Sequence, residues 1–166
     1  AAAGTGLGRA GMFWAGRRHH PFAPEGGHTD FSPTDEREFA LFQFLQRKYG
    51  HVSWERVASG TGIGNLHAFV LEWRRGELPA WLSEEMAAGD PSAAIARAAA
   101  EARCPICEEA MDLFAGLYGR EAGNTALKHL ALGGVYLGGG VAPKNIDLLR
   151  AGGFMAAFLD KGRMTA

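Results

Sequence analysis

The chain has 166 residues, and its 17 basic and 18 acidic side chains give a formal net charge of −1. Apolar residues make up 47% of it, which is enough for the core of one compact domain and excludes a mainly disordered chain. The near-neutral charge, without a run of Lys or Arg, argues against nucleic acid and anionic membranes as partners.

The expected location follows from three further features. No apolar stretch approaches the roughly eighteen residues that a bilayer span requires. The first residues lack the charged and apolar pattern of a signal peptide. Two cysteines are too few for a disulfide scaffold and suit a reducing compartment. We therefore expect a soluble, cytoplasmic protein without a membrane partner.

The first predicted elements are a short strand and a long loop. Residues 10–14 form an apolar run that suits a strand. Residues 17–33 contain three prolines, so this segment is expected to be mostly loop.

A helix is predicted where this loop ends. The segment Ser32-Pro33-Thr34-Asp35-Glu36 combines a capping hydroxyl, a proline that the first turn tolerates and acids at the positive end of the helix dipole. The helix should reach about Tyr49 and end at Gly50. Its apolar residues are predicted to face the core: Phe39, Leu41, Phe42, Phe44 and Leu45.

Helical spacing continues through most of the remaining chain. The predicted helix starts are Ser53, Gly60, Asp90-Pro91, Pro105 and Pro143, and the longest helix runs from Ile106 to about Leu132. Residues 133–137 predict a short buried strand. Short strands among several helices indicate an α/β fold.

Glycines are concentrated in clusters, the first of which is Gly4-Thr5-Gly6-Leu7-Gly8. Backbone N–H groups without shielding side chains suit a phosphate, although a simple turn between strands explains the pattern equally well. Gly6, Gly8 and Gly11 also satisfy the dinucleotide motif G-x-G-x-x-G, which requires a helix directly after the loop. Since the following residues predict a strand, a dinucleotide-dependent oxidoreductase is the weaker alternative. The chain has no Walker motif.

Polar side chains cluster in the predicted loop. His19, His20, Glu25 and His28 could on paper hold zinc, but the prolines between them and the absence of helical spacing disfavour a metal site. In Glu25-Gly26-Gly27-His28, the two glycines allow the carboxylate and the imidazole to converge. Such a pair suits a polyol, because one group accepts hydrogen bonds and the other donates or accepts them. A solvated surface turn is the plain alternative.

The cysteines form a single C-x-x-C motif, Cys104-Pro105-Ile106-Cys107. A zinc site needs further ligands at a suitable spacing, and a thioredoxin-type site needs a preceding strand. Neither condition is met, so we expect two buried thiols and no bound metal.

Five motifs together resemble bacterial glucokinase in their order and spacing over essentially the whole chain. They are Gly4 to Gly8, Glu25-Gly26-Gly27-His28-Thr29-Asp30-Phe31, the segment from Gly50 through Trp54-Glu55-Arg56 to Gly60, Gly138-Gly139-Gly140, and the segment from Gly153 to Gly162. The resemblance implies an α/β, ribonuclease H-like domain of the actin-like ATPase and sugar-kinase type, with a mixed sheet packed with helices. It implies that residues 1–166 are the C-terminal large domain of a glucokinase-like protein.

The same resemblance implies the site residues. Gly4, Thr5 and Gly6 would be the second phosphate loop, Gly138, Gly139 and Gly140 would lie beside the adenosine, and Glu25, His28 and Glu55 would contact the sugar hydroxyls. The implied reaction is phosphorylation of glucose to glucose 6-phosphate, with ATP and Mg²⁺. The segment Ser59-Gly60-Thr61-Gly62 either neighbours the nucleotide or only caps a helix.

One departure from the family pattern affects catalysis. The first phosphate loop and the general-base aspartate of the family precede the matched region, and neither occurs in this chain. We therefore expect no catalytic residue among these 166 residues and no kinase activity from them alone. We also expect an exposed cleft face that favours a homodimer, and we keep a non-enzymatic nucleotide- or sugar-sensing protein as the first alternative.

Overall fold

The computed structural model describes residues 1–165, and helices account for most of them. The helices are α1 (Glu36–Tyr49), α2 (Gly60–Trp73), α3 (Ala80–Ala88), α4 (Pro91–Ala100), α5 (Pro105–His129), α6 (Val141–Lys144), α7 (Ile146–Arg150) and α8 (Gly153–Leu159). The strands are β1 (Ala2–Ala3), β2 (Leu7–Gly8), β3 (Gly11–Trp14) and β4 (His19–Phe22), and three 3-10 turns span Gly26–His28, Trp54–Arg56 and Gly162–Met164. No helix in residues 1–165 has both the length and the apolar character needed to cross a bilayer.

The core surrounds α5, which has 25 residues. Helices α2, α4 and α8 pack against it. Phe114 and Tyr118 are fully buried on α5, and the Tyr118 ring meets the Phe154 ring of α8 edge to face, with centroids 5.5 Å apart. Because aromatic side chains bury the most apolar area, this cluster supplies much of the driving force for folding.

The sheets are small. β1 pairs antiparallel with β2, and Ala2 also forms a parallel bridge with Gly138, so this edge is mixed. β3 pairs antiparallel with β4, from Gly11 opposite Phe22 to Trp14 opposite His19. The loop predicted for residues 17–33 therefore contains a strand, and Pro21 is accommodated because a two-stranded hairpin has edges that need no N–H donor.

The first helix begins later than predicted. Asp35, and not Ser32, caps α1, because its Oδ1 accepts a 2.8 Å hydrogen bond from the Glu38 N–H. Leu41 and Leu45 are buried as predicted, whereas Phe39 is 54% exposed, since it lies off the face that these residues share. The predicted end at Gly50 is confirmed.

Two further elements differ from the sequence prediction. Residues 133–137 form no strand, and Tyr136 is 76% exposed, because only Gly138 finds a partner in β1. Helix α3 was not predicted, since Leu82 is its one fully buried residue and the apolar spacing is weak. The long helix is confirmed, and Pro105 is its first residue.

Candidate active site

The candidate site is arranged around Leu7, the buried first residue of β2. The Leu7 N–H donates a 3.0 Å hydrogen bond to Glu55 Oε2. The Leu7 carbonyl lies so close to Gly27 that a side chain at position 27 would collide with it. The structure thus brings Glu55 and the turn Gly26–His28 to the same strand, although they are far apart in the sequence.

The turn Gly26–His28 presents Glu25 and His28 to solvent. His28 Nε2 lies 3.9 Å from Glu25 Oε2, and the two side chains are 61% and 93% exposed. The turn is closed by the His28 N–H, which donates to the Glu25 carbonyl at 3.1 Å. The predicted convergence of the carboxylate and the imidazole is therefore present, and both side chains are mostly exposed.

Main-chain hydrogen bonds join this turn to the segment that carries Glu55. The Trp54 N–H donates to the Thr29 carbonyl at 3.0 Å, and the Phe31 N–H donates to the Val52 carbonyl at 2.9 Å. Beneath them the buried rings of Phe31 and Trp54 meet edge to face, with centroids 5.2 Å apart. These contacts fix the position of Glu55 relative to the turn.

The loop of Gly4, Thr5 and Gly6 rests on the first turn of α2. The Gly60 N–H donates to the Gly4 carbonyl at 2.7 Å, and Thr61 Oγ1 donates to the Thr5 carbonyl at 3.0 Å. A side chain at Gly6 would collide with the Glu55 carboxylate. The loop and the candidate sugar contacts are therefore adjacent.

Ser59 acts as the cap of α2. Its Oγ accepts a 3.0 Å hydrogen bond from the Gly62 N–H and donates a 2.6 Å hydrogen bond to the Glu55 carbonyl. Its neighbours Gly60 and Thr61 line the same cleft as Gly4 and Thr5. The segment is therefore a helix cap, and it also lies beside the glycine loop; its proximity to a nucleotide stays a prediction.

The second glycine cluster lies on the other side of β1. The Gly138 N–H donates to the Ala1 carbonyl at 2.9 Å. Gly139 has a φ of 79° and packs against the Ala3 carbonyl. Gly140 shares with Gly4 and Thr5 a cleft of about 1260 Å³, which is larger than most small-molecule sites. The structure therefore places the two predicted nucleotide segments on one cleft.

Several polar residues of this cleft were missed by the sequence analysis, among them Ser92, Lys144 and Asn145. Ser92 Oγ donates a 2.6 Å hydrogen bond to the Gly60 carbonyl, which ties α4 to the start of α2. The sequence predicted helix starts near Asp90 and Pro143. It did not predict that these helices reach the cleft, because their packing depends on distant residues. Lys144 is exposed there and offers a cation for a phosphate.

The structure does not provide what a dinucleotide site or the zinc site considered for His19, His20, Glu25 and His28 would require. After Gly8 the chain enters β3 at Gly11, so the helix that a dinucleotide motif requires does not begin there. The His19 and His20 rings pack on Trp14 and Phe13. Among residues 1–165 no three His, Cys, Asp or Glu side chains come together in a metal-binding cluster.

Both cysteines are buried and reduced. Burial, and then the hydrogen bond with Cys104, raises the pKa of the Cys107 thiol far above its ordinary value. A thiol held protonated in this way is a poor nucleophile and a poor metal ligand.

Comparison with known proteins decides the family, because the glucokinase family model matches residues 1–166. The chain belongs to the glucokinase family. Glucokinase of Synechocystis sp. (strain ATCC 27184 / PCC 6803 / Kazusa) is 43% identical over 180 residues, covering 98% of this chain and 50% of the relative. Glucokinase of Yersinia pestis (strain Pestoides F) is 44% identical over 162 residues, covering 97% of this chain and 47% of the relative. The chain thus spans about half the length of the curated relatives it matches.

Solved glucokinase structures share the fold. A glucokinase from an Antarctic psychrotroph superposes with a TM-score of 0.85 at 29% identity, over 99% of this chain and 48% of that one. A glucokinase from Balamuthia mandrillaris in complex with glucose gives a TM-score of 0.73 at 25% identity, over 96% of this chain and 46% of that one. The predicted glucokinase resemblance and the predicted α/β fold class are confirmed.

Proposed function

We propose that the protein carrying this chain transfers the γ-phosphoryl group of ATP to the 6-hydroxyl of glucose. In this proposal residues 1–166 are the C-terminal large domain, and the first phosphate loop and the general-base aspartate belong to an N-terminal portion. The chain supplies the sugar contacts Glu25, His28 and Glu55. A cytoplasmic location and a homodimer belong to the proposal as well.

The observation that carries the proposal is the adjacency of the two groups of residues around Leu7. Glu55 accepts the Leu7 N–H at 3.0 Å and also borders Gly6 of the glycine loop. A sugar bound to the exposed Glu25 and the half-buried Glu55 would therefore lie beside a phosphate held by the loop. Phosphoryl transfer requires little more of a protein than such positioning and the neutralisation of charge.

The glycine segments suit the phosphates and the adenosine of ATP. Nothing lies within 4 Å of the place where a side chain at Gly4 would begin, so the backbone there is open to close approach. Lys144 on the same cleft supplies positive charge.

Mg²⁺ fits this cleft as a companion of ATP. It prefers to keep several waters and to bind through the phosphates of its substrate, which requires no cluster of protein ligands. Carboxylates of Asp90 and Asp147 line the cleft and are of the ligand type that Mg²⁺ accepts. When bound, the ion would neutralise phosphate charge during transfer.

The activity is tested with the intact protein that carries this sequence, in an assay coupled to oxidation of glucose 6-phosphate. We expect ATP- and glucose-dependent product. Gly4→Val, which places a branched side chain at the cleft, should raise the KM for ATP and leave that for glucose unchanged. Gly133→Val is the matched control, because position 133 also has nothing within 4 Å and lies outside the cleft.

The same experiment separates the alternative. Binding of ATP and glucose without any product would replace the kinase by a non-enzymatic sensing protein. If the protein binds neither ATP nor glucose, both functions are contradicted.

A further inference from the structure

A buried ion pair connects the end of β2 to the long helix α5. Arg9 Nη2 pairs with Glu121 Oε1, and the two side chains are 3% and 1% exposed. Asn124, one turn further along α5, donates from Nδ2 to Glu121 Oε2 at 3.2 Å. Glu121 is therefore held from two sides inside the helical core.

Burial of this pair calls for an explanation other than stability. Removal of two charges from water is costly, and well-packed apolar side chains of similar size often serve a core equally well. Burial lowers the pKa of Arg9 from its ordinary value, in keeping with this cost, although an arginine remains charged. The ion pair with Glu121 therefore holds the charged guanidinium of Arg9 in a fixed position.

The Arg9 guanidinium lies directly under the turn Gly26–His28. A Cβ atom at Gly26 would lie 2.6 Å from Arg9 Nη1 and 2.9 Å from Cζ, so only a glycine backbone fits over the guanidinium. The Gly26 carbonyl in turn accepts the Thr29 hydroxyl at 2.8 Å, which closes the turn. The guanidinium thus forms the inner support of the turn, whose outer side presents Glu25 and His28.

We propose that Arg9 is a positioning residue for sugar recognition: Glu121 fixes the guanidinium, and the guanidinium fixes the turn that carries Glu25 and His28. The inference rests on the proposed function, because it takes these two residues as the sugar contacts. A turn held in place before the sugar arrives binds more tightly, since less ordering accompanies binding.

The first test measures the turn itself in the intact protein that carries this chain. Removal of one partner leaves an uncompensated buried charge and endangers folding, so the test uses the double variant Arg9→Met/Glu121→Met, which leaves neither charge. Amide hydrogen exchange of residues 25–30 should become roughly tenfold faster, because the support of the turn is lost. Exchange in the hairpin of β3 and β4 should stay unchanged.

The second test measures glucose recognition in the intact kinase. In the same double variant the KM for glucose should rise roughly tenfold, while kcat and the KM for ATP stay within about twofold. The matched control is Glu38→Met/Arg120→Met, which removes another ion pair of α5, 2.5 Å long, that does not touch the turn. The control should change neither the exchange of residues 25–30 nor the KM for glucose.

Each outcome decides the inference. Unchanged exchange of residues 25–30 in a folded double variant overturns the positioning role. Faster exchange with an unchanged KM for glucose overturns its link to the sugar. If the unaltered protein fails to phosphorylate glucose, the proposed function fails, whereas the exchange measurement still decides whether Arg9 supports the turn.

Discussion

The helices around α5 and the segments around Leu7 are stabilised in different ways. The helical region relies on side chains, among which Phe114, Leu117 and Tyr118 are buried almost completely. The segments around Leu7 also rely on main-chain groups: the Leu7 N–H donates to the Glu55 carboxylate, a carbonyl at Gly4 accepts from α2, and Gly27 approaches the Leu7 carbonyl closely. Leu7, Phe31 and Trp54 are buried there too, but Glu25 and His28 are exposed.

This difference separates stability from recognition. Burial of apolar area is non-directional and tolerates shape-conserving changes, whereas hydrogen bonds and close backbone contacts depend on position to within a fraction of an ångström. Substitutions in the helical region should therefore change the free energy of unfolding first. Substitutions around Leu7 should change ligand affinity first.

The largest expected effect belongs to the helical region. Phe114→Ala removes a fully buried ring of α5, so unfolding in urea should show a loss of about 3–5 kcal/mol. Phe39→Ala removes an aromatic ring that is more than half exposed, and it should cost no more than about 1 kcal/mol. Similar losses for the two variants would contradict the assignment of the core to α5.

The next effect concerns the sugar contacts. Glu25→Gln and Glu55→Gln keep the size of the side chain but replace one acceptor oxygen by a donor, so glucose affinity should fall by about one to two powers of ten. The affinity for ATP and the urea midpoint should hardly change, because the carbonyl oxygen of the amide introduced at position 55 can still accept the Leu7 N–H. The measurement is calorimetric titration of the intact protein.

Glu36→Gln is the control for this pair, since Glu36 lies exposed on the first turn of α1. It should alter neither ligand affinity. Unaltered glucose affinity in folded Glu25→Gln and Glu55→Gln proteins would falsify the assignment of the sugar contacts.

A third substitution acts on the close backbone contact between Gly139, in the second glycine cluster, and Ala3 of β1. Gly139→Ala forces a side chain into the left-handed region and against the Ala3 carbonyl, which should destabilise the fold by about 1–2 kcal/mol and weaken ATP binding. Gly116→Ala, within α5 and with nothing in its way, should instead leave stability equal or raise it by about 1 kcal/mol. An unchanged affinity for ATP in the Gly139→Ala protein would contradict the proposed position of the adenosine beside Gly138, Gly139 and Gly140.

The smallest effect is expected where the two regions meet. Ser59 caps α2 and also donates to the Glu55 carbonyl. Ser59→Ala should therefore cost about 1 kcal/mol of stability, with a modest rise in the KM for glucose. Because Ser59 is fully buried and a charged cap would not fit there, the comparison variant is Ser59→Gly, a residue that a helix cap tolerates. It should recover most of the stability but not the bond to Glu55. Equal behaviour of the two variants in both measurements would argue against the double role.

Local signals in the sequence were sufficient for most helices. Gly50 ends α1 and Pro105 begins α5, because their backbone preferences act without help from distant residues. Elements that depend on partners were predicted poorly. Residues His19–Phe22 form a strand only because β3 lies beside them, and residues 133–137 form none because β1 bridges only Gly138, after this segment.

The residues of the candidate site also divide into those that local motifs predict and those that only packing brings together. The glycine clusters and Glu25, His28 and Glu55 were predicted through motifs in the sequence, and their roles stay predictions. The pair of Arg9 and Glu121 was not, because each residue alone looks like an ordinary surface charge and only the packing of α5 against β2 brings them together. Lys144 was missed for the same reason.

The hydrogen bond between Glu55 and Leu7 has a thermodynamic consequence for the two proposed ligands. In the proposed site, the Glu55 carboxylate would contact the sugar, and it also accepts the N–H of Leu7, which directly follows the proposed phosphate loop. Two ligands that share a group are linked, and linkage is reciprocal: the factor by which glucose changes the affinity for ATP equals the factor by which ATP changes the affinity for glucose. If both proposed ligands bind as proposed, titration of either ligand at saturation of the other measures one coupling free energy, and we expect the Glu55→Gln variant to change it.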